Sequence, residues 1–542
     1  MAREYDAVIV GGGTAGCVLA ARLAERSSRR VLLIEAGPRY ASIEALPPEI
    51  VRAGSGAAAF PGHPANWSFT GEILPGRAWP LPRGKVLGGS SAVNGTYFIR
   101  ALKSDFDAWA AIAGDEWSYA RVLPYFVQSE NDHDFGGSAH GKDGPMPVRR
   151  PGEEQLRPIS RAFNEACLAE GYAWDADKNA PERDGVGPIP RNCVDGLRMS
   201  TALTYLREIP ANLEILADAV VERVMIEGAR AVGVRVRAGG EVREILAAEV
   251  VLSAGGIKTP QLLMLSGVGC AEVLRAQGIS VVADRPGVGQ GAMDHCTIQV
   301  PFHLPDDGPV PDDTMMFQTC LNTTASGSSR ASDLQIACGA KTFNRAMAAP
   351  RGGAIPSYLL RPWATLKAVA RLPAGLILKT MTSGGNLYLN CTLSVPAGSG
   401  AVTLRSADPH EQPHIALNYL AEAEDRRRLR EVVRIAARLI DTRSFRALGV
   451  RRASLTDKTL RSDAETDDWI CANLATSYHT TSTARMGPAH DPTAVVDTQC
   501  RVHGVEGLRV ADISIIPRIP SRGPAATAVM IGERVAAMVG AV

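Results

Sequence analysis

The chain has 542 residues, more than one ordinary hydrophobic core serves, so two or more lobes with room for a large cofactor are expected. Its 58 Lys and Arg nearly balance 57 Asp and Glu, and no run of five or six like charges makes a tail for nucleic acid or an anionic surface. A small neutral or hydroxylated ligand fits that balance better. The ten cysteines stand singly, with no C-x-x-C pair and no Cys/His cluster, so a reduced chain without structural zinc or another metal is expected.

The opening "MAREYD" runs directly into an apolar strand and lacks the regions of a signal peptide, which predicts a cytoplasmic protein. "YDAVIVGGGTAGCVLAARLAE" then reads as a strand, a glycine turn and a helix with apolar residues at helical spacing. Gly11, Gly13 and Gly16 form G-x-G-x-x-G at the turn. The first permits the bend, the second lets backbone approach a pyrophosphate, and the third lets helix and strand pack closely. A second strand, "RRVLLIEAG", ends in Glu35, 24 residues beyond Gly11, where an acid can hydrogen-bond a ribose. These residues predict a bound dinucleotide without choosing between NAD and FAD.

In "PRGKVLGGSSAVNGTYFIR", residues 82–100, glycines, serines and Asn94 make a loop whose donors suit a pyrophosphate or the polar edge of an isoalloxazine. "VVLSAGGIKTPQLLMLSGVG", residues 250–269, predicts a buried strand, a glycine turn and a helix with Pro260 near its start. Strand-like runs such as "GGNLYLNCTLSV" and "GAVTLRSADP" mark a sheet-rich segment between 300 and 420. Within it, "SYLLRPWATLKAVARLPAGLILKTM", residues 357–381, alternates apolar groups with Arg361, Lys367, Arg371 and Lys379, too much charge for a membrane span. As a surface helix it would lie on a membrane or a partner protein. Pro362 and Pro373 break its periodicity and favour a substrate-domain helix covering the active site. A helical run, "EDRRRLREVVRIAARLI", leads to "SYHTTSTARMG", and the chain closes with a strand, Asp512 and an amphipathic helix.

The fingerprint, "GKVLGGSSAVNG", "HGKDGP", "SAGGIKTPQLLMLSGVG", "GVGQGAMDH", "HTTSTARMG" and "RVADISIIPRIPS" occur in that order over the whole length. Together they resemble the glucose-methanol-choline (GMC) flavoprotein oxidoreductases, and within them an actinobacterial-type branch that includes mycofactocin-associated dehydrogenases. The resemblance implies an α/β fold of two domains. A Rossmann-like FAD-binding domain would comprise residues 1–150, 205–300 and 466–542, and a sheet-rich substrate-binding domain residues 151–204 and 301–465.

On the ADP half of FAD the resemblance places Gly11, Gly13, Thr14, Ala15, Gly16, Glu35 and Ala36. It puts Leu87, Gly88, Ser91, Asn94 and Gly95 near the pyrophosphate and flavin, Val221 beside the adenine, and Asp512 close to the ribityl chain. Ala254, Ala525 and Thr527 complete the implied cofactor contacts. Where some relatives carry the histidine that attaches FAD covalently, this chain has Val93, so non-covalent FAD is expected.

Oxidising an alcohol with flavin requires a hydride to leave carbon for flavin N5 and a base to receive the hydroxyl proton, a role imidazole suits. The family motif implies His479 as that base, with Ser482 in place of the usual glycine. The family's second group, usually His or Asn, aligns with Ala525, and no His or Asn occurs from 504 to 542. His479 then acts alone, or Arg522 or Tyr478 substitutes, or the substrate fills the space with its own group. Alternatively the chain has left alcohol oxidation for lyase, decarboxylase or biosynthetic tailoring chemistry on the same fold. The leading expectation is a choline dehydrogenase-like FAD oxidoreductase acting on CH–OH donors. Its substrate would be an alcohol or a polyhydroxylated intermediate, with oxygen or another molecule as electron acceptor.

Overall fold

The computed structural model describes residues 4–26, 28–348, 357–373, 375–376 and 385–540. Strand Tyr5–Val10 forms because its last four residues are fully buried, and it lies at the centre of a seven-stranded sheet. Val31–Ile34 and Glu241–Leu252 flank it in parallel, Leu213–Leu216 extends one edge, and Leu508–Val510 pairs in parallel with Glu241–Leu252. Strands buried on both faces read as continuous apolar runs, as "VLLI" and "AVIV" do. Ala219–Glu227 and Arg230–Ala238 continue the sheet as an antiparallel meander into Glu241–Leu252.

Helix Thr14–Arg26 and the final helix Ala525–Gly540 pack against one another, so closely that a Cβ on Gly532 would lie 2.7 Å from the Ala15 carbonyl. The final helix differs from the amphipathic expectation: Ala526 through Ala536 are buried without interruption, because it is enclosed on all sides. Its Glu533 is fully buried and pairs with Arg22 at 2.9 Å while accepting the Tyr205 hydroxyl at 2.7 Å. The two ends of the sequence are thereby joined in one core.

A second seven-stranded sheet is antiparallel, in the order Arg451–Arg452, Cys296–His303, Leu387–Leu393, Leu334–Gly339, Phe317–Thr323, Gly185–Pro188. Leu474–Thr476 pairs with Cys296–His303, so segments on either side of residues 300 and 466 meet in this sheet. Helix Ala423–Ile440 covers one face with Leu429, Val432, Val433, Ala436, Leu439 and Ile440. The predicted runs "GGNLYLNCTLSV" and "EDRRRLREVVRIAARLI" fall on Leu387–Leu393 and Ala423–Ile440, whereas "GAVTLRSADP" forms strand Gly400–Thr403 of a separate five-stranded sheet.

Two local expectations change. Pro260 sits inside helix Gly255–Leu265, not near its start, and the carbonyl of Gly256 that its missing N–H leaves free accepts the Thr483 hydroxyl at 2.8 Å. The run 357–381 is not one helix: Pro362 opens an eight-residue helix, Pro362–Val369, at the first position that tolerates proline. Lys379 lies outside the described residues.

Candidate active site

The two glycine loops meet backbone to backbone. Gly11 has φ +105° and a Cβ there would lie 2.5 Å from the Ser253 carbonyl oxygen; a Cβ on Gly16 would overlap the Gly11 carbonyl. Gly13 is different, with its nearest neighbour at 3.8 Å, so that face of the turn and the first amides of helix Thr14–Arg26 are left open, beside buried Ala15. Gly88, at φ +98°, donates its N–H to the Gly12 carbonyl at 2.7 Å, and a Cβ on Gly89 would lie 2.6 Å from Gly13 Cα. Leu87 reaches over Gly12, and Gly95 is exposed at the far end of the same loop.

Glu35 ends its strand buried beside Ala36, accepting N–H bonds from Gly12 at 3.0 Å and Gly37 at 2.8 Å. Burial raises its pKa to about 7. Ser91 and Asn94 hold the loop itself. The Ser91 hydroxyl donates to the Gly88 carbonyl at 2.6 Å and accepts the Thr201 N–H at 3.1 Å, and Asn94 Oδ1 accepts the Thr96 N–H at 2.9 Å. Val221 is buried in strand Ala219–Glu227.

Asp512 ties the closing segment to the start of helix Gly255–Leu265, accepting from the Gly255 N–H, the Thr259 hydroxyl at 2.6 Å and the Ser514 N–H, beside Ala254 at the helix cap. Burial raises its pKa. Thr96 Oγ1, Ser514 Oγ and Thr527 Oγ1 are buried hydroxyls without a hydrogen-bond partner among the described residues. Open glycine backbone, a helix N-terminus and unpaired hydroxyls suit a polyhydroxylated pyrophosphate, so the residues present fit FAD.

The catalytic end is built by the second sheet. Cys296 pairs with Thr476, which sets His295 beside the turn that follows Leu474–Thr476, and the Ser477 N–H donates to the His295 carbonyl at 3.0 Å. Asp294 clamps that turn: it accepts the His479 N–H at 2.6 Å and the Thr476 hydroxyl at 2.7 Å. Arg83 joins from the first lobe, donating to Thr480 Oγ1 at 2.9 Å.

His479 Nδ1 then lies 2.8 Å from His295 Nδ1, with the rings at 90°, and His295 Nε2 lies 2.8 Å from the Pro520 carbonyl oxygen. A carbonyl only accepts, so His295 Nε2 carries its proton. Burial lowers the His295 pKa to about 4, which keeps the ring neutral and its Nδ1 bare at neutral pH. His479 Nδ1 is therefore the donor between the rings, and His479 Nε2 is left as an unprotonated acceptor. Burial, then the neighbouring His295, then Arg83 hold the His479 pKa well below the usual histidine value.

His479 Nε2 faces the closing segment, where a Cβ on Gly523 would lie 3.8 Å away. That segment is pinned from behind by Asp105, which accepts the Ser521 N–H at 3.0 Å and hydroxyl at 2.8 Å, and by Trp109, which donates to the Arg518 carbonyl at 2.8 Å. Ala525 is half-buried as the first residue of the final helix. Arg522 is 1 % exposed, donates only to the Ser521 and Arg183 carbonyls, and makes no ion pair among the described residues. Burial lowers its pKa, and its positive charge is among those that act on His295. Tyr478, by contrast, is 40 % exposed and held at φ +63°.

His295, Asp294, Arg83 and the Pro520 carbonyl were not singled out by sequence reasoning as functional. The signal was the Asp-His pair that ends "GVGQGAMDH" directly before a strand. "HGKDGP" proves structural: His140 bonds Glu130 at 3.1 Å and Asp177 at 3.0 Å, within a buried cluster that includes Asp132, Arg100 and Arg150. Burial lowers the His140 pKa, but the three carboxylates outweigh it and raise the value to about 10. Glu130, Asp132 and His140 lie close enough to hold a metal ion, yet three cations already balance the three carboxylates.

The N-terminal GMC oxidoreductase family model matches residues 5–297 and the C-terminal one residues 396–532. The chain belongs to the GMC oxidoreductase family, whose members and structural neighbours are FAD-binding flavoproteins. It is 38% identical over 537 residues to an uncharacterized GMC-type oxidoreductase of Rhodococcus erythropolis, covering 98% of each chain. It is 33% identical to an oxygen-dependent choline dehydrogenase of Vibrio vulnificus, covering 99% of this chain and 95% of the other. Among solved structures it resembles pyridoxine 4-oxidase from Mesorbium loti, with a TM-score of 0.84, 30% identity and 98% of each chain covered. It also resembles a formate oxidase of Aspergillus oryzae studied for FAD modification, with a TM-score of 0.85, 26% identity, and 99% of this chain and 98% of the other covered.

Proposed function

We propose that the protein oxidises a CH–OH group with non-covalently held FAD, His479 Nε2 accepting the hydroxyl proton. FAD, when bound, supplies the two-electron acceptor. One observation carries this reading: the His479–His295–Pro520 chain of hydrogen bonds, which fixes the tautomer so that Nε2 is the bare nitrogen. His295 is a positioning residue, holding the ring and its tautomer through Nδ1. Arg522 takes the place of the missing His or Asn, as a buried cation that makes no ion pair among the described residues, acts on His295, and would favour an alkoxide or another anion in the site.

Because the His479 pKa is depressed, the base stays neutral at and above neutral pH. Activity is lost only as pH falls below the ordinary histidine range. The test is anaerobic mixing of holoprotein with a panel of alcohols. Bleaching of the flavin band in the wild type, slowed about 10²- to 10⁴-fold in His479→Ala, is the expected result. Turnover that never bleaches the flavin would sink the reading and leave lyase, decarboxylase or other tailoring chemistry.

A further inference from the structure

Between Asp333 and Asp408 the chain contains no Asp or Glu but eight Lys or Arg. At the middle of this span, helix Pro362–Val369 has a face opposite to what burial favours. Its inner side is small: Thr365 packs on Gly62, and Tyr358, in the turn before the helix, stacks on Phe60 at 4.6 Å. Its outer side is large and apolar. Leu359 is 57 % exposed, Leu360 66 %, Trp363 77 % and Leu366 65 %, half of the eight large hydrophobic residues exposed on the described surface.

Single exposed hydrophobics are ordinary, but four within eight residues make a contiguous patch, and such patches mark interaction sites. Residues 359, 363 and 366 follow one stripe of the helix and its preceding turn. Arg361, Lys367 and Arg371 surround that stripe and make no ion pair among the described residues. No helix among the described residues is long and apolar enough to cross a membrane.

We propose that this face is a membrane-docking surface that lays Leu359, Leu360, Trp363 and Leu366 into the interface of an anionic lipid bilayer. Charge complementarity selects that occupant. A protein partner presents mixed charge and its contact surface is depleted in lysine, whereas a bilayer with anionic headgroups presents one sign over an extended plane. Tryptophan at the boundary, leucines below it and cations beside it are the composition of an interfacial helix that lies on a membrane without spanning it. The docking is independent of the reaction at His479, since none of these side chains belongs to that site.

The test is co-sedimentation of flavin-loaded holoprotein with vesicles of phosphatidylcholine alone or with about 30% phosphatidylglycerol, the usual range for sensing anionic attraction. The wild type is expected to bind the anionic vesicles at least tenfold more tightly than the neutral ones, with the excess removed by high salt. W363S/L366S should lower binding to both vesicle types at least tenfold with flavin content unchanged. K367Q/R371Q should remove the anionic preference alone. Failure of the wild type to sediment with either vesicle overturns the proposal, as does binding that the W363S/L366S variant retains. If sedimentation velocity instead finds self-association that W363S/L366S abolishes while vesicle binding is absent, the patch is a contact between copies and the membrane assignment is wrong.

Discussion

The loop at Gly11–Gly16 and the pair His295–His479 serve one site but are built in opposite ways. In the first, atoms of the main chain touch across distances that exclude a Cβ, and side chains contribute little beyond Glu35 and Leu87. In the second, the backbone only delivers two imidazoles, and the outcome depends on which ring nitrogen carries a proton. The first tolerates no added volume at Gly11 or Gly16, and the second no change in hydrogen-bond polarity. Steric exclusion is local and shows in a short motif, whereas the tautomer is set through a strand pairing between residues 296 and 476 and a carbonyl at 520.

Substituting within the glycine loop tests the steric half most severely. Gly16→Ala would drive its methyl into the Gly11 carbonyl, at a cost above about 3 kcal/mol, and is expected to yield protein without flavin or no folded protein. Gly13→Ala has 3.8 Å of room and should fold, so its flavin content measured beside that of Gly16→Ala separates backbone packing from cofactor approach. Equal loss in both would mean that close packing is not what distinguishes the two glycines.

The polar half is tested by His295→Ala. Without its acceptor, His479 Nδ1 loses the partner that fixes the ring, and kcat is expected to fall about 10- to 100-fold. Desolvation and the neighbouring ring both hold the His479 pKa down, so opening the site should move the acid limb of the rate profile upward, toward the ordinary histidine value. A merely structural histidine would lower the amount of active enzyme and leave the limb where it was.

The smallest effect tests where the two halves overlap. Ser482 has φ +67°, a left-handed backbone that a serine adopts at a cost, at the position where the family motif has glycine. Ser482→Gly relieves that strain and is expected to stabilise the protein by about 1 kcal/mol, a rise of one or two degrees in Tm, with catalysis unchanged. A lower Tm would mean that the Ser482 hydroxyl, 3.2 Å from that of Thr481, outweighs the strain.

Much of the fold was legible because burial on both faces writes itself as unbroken apolar runs, as in Val31–Ile34, and because a dinucleotide turn needs glycine at fixed spacing. The final helix reads as amphipathic in sequence, but its one strongly charged pair, Glu533 and Arg534, is buried and bonded to partners hundreds of residues away. Pro260 reads as a residue near a helix start, because the Thr483 hydroxyl that compensates it inside the helix is invisible locally.

The amino-acid sequence alone pointed to the family, the glycine loops, the candidate base His479 and the lack of His or Asn from 504 to 542, since each is a residue type at a fixed distance along the chain. Only the tertiary structure decided that His479 presents Nε2, that Arg522 is a buried cation whose charge reaches His295, and that the helix at 362 turns its large side chains outward. Tautomer, desolvation and exposure are properties of neighbours in space, and the neighbours that set them here are nearly two hundred residues apart in the chain.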